Sequence, residues 1–310
     1  VTGATDRVFP DAVGRDIGCG MAAEAFDVSA AALRAPSVAR AVLEGLGRVV
    51  PPVRHGGPAS RVALPPPLDP DALSAPSLAT VASRDGRVEF ATLGRGNHFL
   101  ELQADVDDRL WVMVHSGSRA VGPAIHAFHH ARARRADVGL PGLPADGDDG
   151  RAYLADLAWA LAYAEASRAA MLDATAGVRA DVLGARPVPG SRFGCLHNHV
   201  RRETHAGEPL LVHRKGATRA LPPGHTGNPP VYRHTGHPVL IPGSMGTASY
   251  VLTGTEKASE SFFSANHGAG RILSRTAAVR EISREQFERS MSGVLFNSRN
   301  YKELLDEAPG

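Results

Sequence analysis

Residues 93 to 119 constrain the fold more than any other stretch. LGRGNHFLELQ leads into an apolar strand, Asp105 to Asp108 supply turn residues, and RLWVMVHSGSR returns, so the segment reads as a β-hairpin. His98 stands near the start of the first strand and His115 at the end of the second. Antiparallel pairing brings the two imidazoles to the same end. There they can share a metal ion, or they can be a satisfied structural pair. Asn97 and Glu101 add polar groups nearby, although strict alternation puts Glu101 on the opposite face from His98.

Two further stretches carry metal-ligating residue types. PDAVGRDIGCGM, residues 10 to 21, reads as a loop punctuated by Pro10, Gly14, Gly18 and Gly20, with Asp16 and Cys19 three apart. That spacing can place a carboxylate and a thiolate on one metal; a tight turn with a buried thiol is the alternative. GCLHNHV puts His197 and His199 at alternate positions around Asn198, which on a regular strand aims both imidazoles to one face. His-x-His is a metal-site pattern that also arises by accident.

Other stretches suit anions. SGSRAVG, residues 116 to 122, opens a predicted helix running to Arg135, and its start offers either an anion site with Arg119 or an ordinary serine cap. His126, His129 and His130, beside Arg132, Arg134 and Arg135, read as a basic solvated face. LVHRKGATRA packs His213, Arg214, Lys215 and Arg219 around Gly216, a cationic turn that suits a phosphate or is simply solvated. In VLIPGSMGTASYVLTG, two apolar strands flank a turn from Pro242 to Ser249 whose amides can cradle a purine or phosphate. The spacing of a P-loop is absent. SANHGAGR sets His267 among glycines that let backbone approach a ligand closely.

The remainder reads as scaffold. Residues 29 to 48 have helical spacing split by Pro36, residues 50 to 80 read as an extended surface connection, and residues 137 to 150 as a loop. A long helix from about Arg151 to Ala174 presents Leu154, Leu157, Leu161 and Leu172 to a core, and a last helix is predicted from Ser283 to Asn297. With 310 residues, 43% of them hydrophobic, the chain can bury a large core. A net charge of +2 announces no polyanionic partner, although only three of the 34 basic residues are lysine. Arginine suits bidentate phosphate contacts, and a compositional bias explains the excess equally well. Two cysteines, no signal-like segment and no long apolar run make a reduced, cytoplasmic protein the expectation, with no membrane partner.

DIGCGM, GRGNHFLEL, VHSGSR, HNHV with VHRKGATRA, PGSMGTASY and NHGAGR occur in the order and spacing of the RtcB family of RNA ligases, which the chain resembles along nearly all its length. The resemblance implies a mixed α/β (α+β) single domain over residues 1–310 with a central metal-binding cleft. It implies a GTP-dependent, manganese-dependent ligase that joins RNA 3′-phosphate or 2′,3′-cyclic phosphate ends to 5′-hydroxyl ends, in tRNA splicing or RNA repair. Carried over residue by residue, Cys19 bridges two Mn²⁺ ions, with Asp16, His98, His115 and His197 completing the ligands. His267 becomes guanylylated. Asn97, Glu101, Asn198, Pro242, Ser244, Met245, Ser249 and Gly270 line the guanylate site.

Arg119, Arg214, Lys215 and Arg271 are read as contacts for RNA or triphosphate, and an archease-type activator is a further partner the family admits. RtcB-type chains carry a segment before the DxGC loop and continue past EAPG to a tyrosine near guanine and a terminal lysine. Incompleteness at both ends, starting from Val1 rather than Met, and a weakened GTP site are therefore expected. Two other readings stand beside the ligase: a relative that binds RNA or metal without ligation, and a dinuclear metal-dependent phosphoesterase. A histidine with no metal role, His267, argues against the phosphoesterase.

Overall fold

Turn residues and alternating apolar positions divide the amino-terminal third into short elements. The computed structural model describes residues 1–54, 60–135, 139–270, 272–296 and 304–305. Strands β1 (Thr2–Ala4) and β2 (Arg7–Val8) lead through one helical turn, α1 (Pro10–Val13), to β3 (Gly20–Ser29). The stretch expected as a loop thus contains a helical turn and ends in a strand. Pro36 divides the next run as its ring requires: a 3-10 segment over Ala30–Arg34 stops before it, and α2 (Pro36–Val49) begins on it. The Pro-rich stretch that follows is not merely a surface connection. Leu68, Leu73 and Leu78 are buried in the main core, the last of them on α3 (Pro76–Val81), which precedes the short α4 (Arg87–Glu89).

The predicted hairpin is present as β4 (Phe99–Ala104) and β5 (Arg109–Ser116). Helix α5 (Val121–His130) stops short of Arg135; β7 (Pro141–Pro144) then pairs with β2 on one side and β6 (Arg134–Arg135) on the other. Helix α6 (Asp148–Leu183) is longer than its leucine spacing suggests. Its buried stripe, Tyr153, Leu157, Ala160, Tyr163, Ala164, Met171 and Leu172, keeps the three- and four-residue intervals of one helical face. No helix among the described residues is long and apolar enough to cross a membrane.

After α6 come β8 (Phe193–Leu196), β9 (Asn198–His205), β10 (Glu208–Lys215) and β11 (Ala217–Arg219). Then follow β12 (Val239–Ile241), β13 (Tyr250–Leu252), β14 (Ser264–Asn266), α7 (Arg275–Glu281) and α8 (Arg284–Ser290). The helix predicted to reach Asn297 therefore ends at Ser290, where Met291 leaves helical geometry. The result is a mixed α and β domain.

One sheet positions the chemistry. Its order is β4-β5-β3-β8, all antiparallel, and alternation gives it two faces. Phe26, Leu110, Val112 and Val114 face Met171 and Leu172 of α6. Met21, Ala23, Met113 and Cys195 face Leu240 of β12 on the other side. Each large apolar side chain so buried contributes about 1.5–3 kcal/mol. The sheet is consequently anchored on both faces while its ends stay free for function.

Candidate metal centre and nucleophile

Register explains why ligands from distant sequence meet. Gly20 pairs with both Ser116 and Leu196, and His115 pairs with both Met21 and Phe99. Cys19 just before β3, His98 just before β4, His115 near the end of β5 and His197 just after β8 therefore lie at one end of the four strands. Cys19 Sγ is 3.2 Å from His115 Nε2 and 3.5 Å from His98 Nε2. His115 Nε2 is 3.2 Å from His197 Nε2, and Asp16 Oδ2 is 3.0 Å from His98 Nε2. These atoms form two groups that share the thiol, Cys19–His115–His197 and Asp16–Cys19–His98.

The donors fit divalent cations. His115 Nδ1 donates to the Asn97 carbonyl at 2.8 Å, which leaves the lone pair on Nε2 facing Cys19. Burial, with His98 adding, pushes His115 down to about 3, and burial with His115 and His267 holds His197 well below the ordinary range. Both rings are thus neutral at neutral pH. Burial and then Asp16 push the Cys19 thiol well up. Burial works against ionisation of Asp16, but its hydrogen bond to His98 and the neighbouring charges leave its carboxyl below the ordinary value. His98 Nδ1 and His197 Nδ1 are buried with no hydrogen-bonding partner among the described residues.

Local backbone holds this geometry. A Cβ at Gly117 would lie 2.0 Å from Asp16 Oδ1, so any side chain there would push the Asp16 carboxylate from its place. Arg168 of α6, 3% exposed, donates to the Gly18 and Ser116 carbonyls at 2.8 and 2.7 Å and fastens the Asp16–Cys19 loop to β5. The leucine spacing of this helix does not point to Arg168. Its position on the buried stripe, four residues after Ala164, was the available signal.

His267 stands beside these candidate ligands without joining either group. β11 and β14 pair with Ala217 opposite Asn266, so Gly216 and His267 flank the end of this ribbon. His267 Nδ1 donates to the Gly216 carbonyl at 2.8 Å, leaving Nε2 with the free lone pair, and its ring centroid is 4.6 Å from that of His197. Asn198 connects the parts: Nδ2 donates to the Asp16 carbonyl and Oδ1 accepts from the Gly216 amide, both at 2.9 Å.

The proposed guanylate residues cluster partly around this point. Because His98 precedes β4, strict alternation does not govern it, and Glu101 shares the face of Phe99 and His115. Burial raises the Glu101 carboxyl. Gln103 bonds both Glu101 and Ser249, and Ser249 Oγ accepts from the Gly243 amide at 3.2 Å. The turn from Pro242 to Ser249 does lie between two strands, β12 and β13, and the Pro242 carbonyl accepts from Ala269 at 3.0 Å. Ser244 donates its amide to Thr247 Oγ1, Met245 packs toward Phe287 and Met291, and Gly270 is exposed. Asn97 contributes its carbonyl to His115.

Several expectations are corrected. The chain bends at His197, between β8 and β9, so His199 does not accompany it; His199 lies opposite Arg214 on β10. Arg214 is fully buried and bidentate to Glu203, at 2.6 and 2.9 Å, which removes it from any surface contact with RNA. Lys215 is exposed, and Arg119 is half-buried with its guanidinium near Gly94 and His98. Arg271 lies outside the described residues. The start of α5 is neither a serine cap nor a vacant anion site: Ala120 is the cap, and its amide donates to the Glu89 carboxylate at 2.7 Å. Two of the three α5 histidines do not belong to a solvated face, and the third, His130, is half-exposed. His129 is fully buried against Asp156 at 2.7 Å, and His126 is buried against Asp11.

Comparison with known proteins places the chain among RNA-splicing ligase relatives. The family model for tRNA-splicing ligase RtcB matches residues 71–310. The RNA-splicing ligase RtcB of Mycobacterium tuberculosis is 38% identical over 259 residues, covering 74% of this chain and 59% of the relative. The tRNA-splicing ligase RtcB of Pyrococcus abyssi is 35% identical over 277 residues, covering 78% of this chain and 30% of the relative. The RNA-splicing ligase RtcB1 of Escherichia coli is 32% identical over 332 residues, 97% of this chain and 76% of the relative. The chain spans about three-fifths of the mycobacterial relative's length. With a family match over most of its residues, and side chains that could hold metal ions gathered at one sheet end, the chain belongs to the tRNA-splicing ligase RtcB family.

Proposed function

We propose that this chain carries the guanylyl-transfer centre of a GTP- and manganese-dependent RNA ligase. The observation that supports it most is His267, whose Nδ1 is fixed by Gly216 and whose ring lies 4.6 Å from His197. A histidine with no metal role argues against the phosphoesterase reading. Nε2 would attack the α-phosphorus of GTP, forming a P–N bond as the Pα–O bond to pyrophosphate breaks. An oxygen of the RNA 3′-phosphate then takes the guanylyl group and frees His267. The 5′-hydroxyl attacks the activated 3′-phosphorus, and GMP leaves.

Divalent ions held by Asp16, Cys19, His98, His115 and His197 would offset charge on the attacking and leaving oxygens. Mixed N, O and S donors accept several metals, so manganese rests on the family resemblance. Asn97, Glu101, Asn198, Pro242, Ser244, Met245, Ser249 and Gly270 would border the guanylate, with Arg119, Lys215 and Arg271 as cations for RNA phosphates. RNA with 2′,3′-cyclic ends, a splicing or repair role, an archease-type activator and a cytoplasmic location belong to the same reading.

The test is the full-length protein with GTP, Mn²⁺ and RNA bearing 3′-phosphate and 5′-hydroxyl ends. A joined strand that disappears in Cys19→Ala is expected. Release of inorganic phosphate without joining would identify the phosphoesterase instead.

A further inference from the structure

The i, i+4 spacing of His126 and His130 puts both rings on one face of α5, and their planes stack at 11° with centroids 5.4 Å apart. Asp11 of α1 reaches this pair. Its Oδ1 is 3.0 Å from His126 Nε2 and 3.3 Å from His130 Nδ1. All three ligand atoms lie within 4.8 Å of one another. For metal–ligand distances of about 2.0–2.2 Å, tetrahedral ligands stand about 3.3 Å apart.

Hydrogen bonding does not complete the cluster. His130 Nδ1 is buried and, although 3.3 Å from the carboxylate, is not aligned to bond it or any other group among the described residues. Ions can reach the group, because the side chains of Asp11 and His130 are 35% and 43% exposed while His126 is 9% exposed. His126 Nε2 donates to Asp11 Oδ1 at 3.0 Å, and a bound cation would displace that proton.

We propose that Asp11, His126 and His130 form a second divalent-metal site, separate from the Cys19 centre. It takes one ion of the zinc type on two imidazoles and a carboxylate, with its remaining positions open to water. It shares no ligand with the other centre. Occupancy clamps α1 to α5. Because α1 leads directly into the loop bearing Asp16 and Cys19, it also steadies that loop.

The experiment is equilibrium dialysis of chelator-stripped full-length protein against Zn²⁺, with bound zinc counted by elemental mass spectrometry. His130→Ala, and His126→Ala combined with His130→Ala, should each lose one equivalent relative to wild type, and Cys19→Ala should retain that equivalent. Co²⁺ loaded into Cys19→Ala should show ligand-field bands without thiolate charge transfer, and His130→Ala should remove those bands from the Cys19→Ala background. Should the double variant fail to fold, the single change at the half-exposed His130 decides. Equal zinc in wild type and His130→Ala, or loss of all zinc in Cys19→Ala, would overturn the proposal.

Discussion

The amide of Gly216 donates to Asn198 Oδ1 at 2.9 Å, and this bond ties the turn whose carbonyl holds His267 to the residue that follows His197. The opposite end of the same side chain donates to the Asp16 carbonyl at 2.9 Å. One side-chain amide therefore ties the Asp16–Cys19 loop to the turn that holds His267. Asparagine supplies a donor and an acceptor in one planar group, which no carboxylate does at neutral pH.

Replacing Asn198 by alanine leaves the Gly216 amide and the Asp16 carbonyl without these partners. A loss of about 1–3 kcal/mol is expected in urea unfolding. Guanylyl transfer should fall by a larger factor than Mn²⁺ affinity does, since the ligands stay in place. Equal losses in the two would show that Asn198 merely supports the fold.

Gly216 has φ of +65°, and a Cβ there would lie 3.2 Å from the His267 ring. Gly216→Ala should shift that ring and strain the turn by about 1–2 kcal/mol. Misplacement of a nucleophile by about 1 Å can cost about 100-fold. Single-turnover labelling with GTP should slow to that extent with metal stoichiometry unchanged. A wild-type rate would contradict the positioning role.

Arg214 and Glu203 predict a pH dependence. Burial alone would raise the Glu203 carboxyl, but the bonds and charge of Arg214, with His205 and Arg219 adding, hold it below its ordinary value of 4.5. A carboxyl depressed by folding stabilises the native state above the unfolded value, and that contribution is lost as pH falls through the folded value. Glu203→Gln should cost about 3–5 kcal/mol near neutrality, because it strands a buried cation. In urea titrations from about pH 6 to about pH 3, the gap between wild type and variant should narrow as pH falls. A constant gap would refute the linkage.

The hairpin, the Pro36 break and the turn from Pro242 to Ser249 were legible because local chemistry sets them: proline fixes a dihedral, and turn residues separate alternating runs. The meeting of His98 and His115 was legible in the hairpin, whereas their convergence with Cys19 and His197 was legible only through the family motifs, since the register of four strands is non-local. Spacing misled where the strand bent at His197, and so failed to separate His199 from the metal ligands. Charge pattern misled at His129 and Arg214, whose partners Asp156 and Glu203 sit on other elements. A buried ion pair looks like a solvated patch until tertiary contacts bring in its counterion.

The central claim is that His267 Nε2 is the nucleophile, fixed by Gly216 and distinct from the metal ligands. Incubating the full-length protein with GTP labelled at the α-phosphate and Mn²⁺ measures it directly. The account predicts acid-labile label on the protein, absent in His267→Ala while that variant still binds metal. Label that persists in His267→Ala, or none on the wild-type protein, would contradict it.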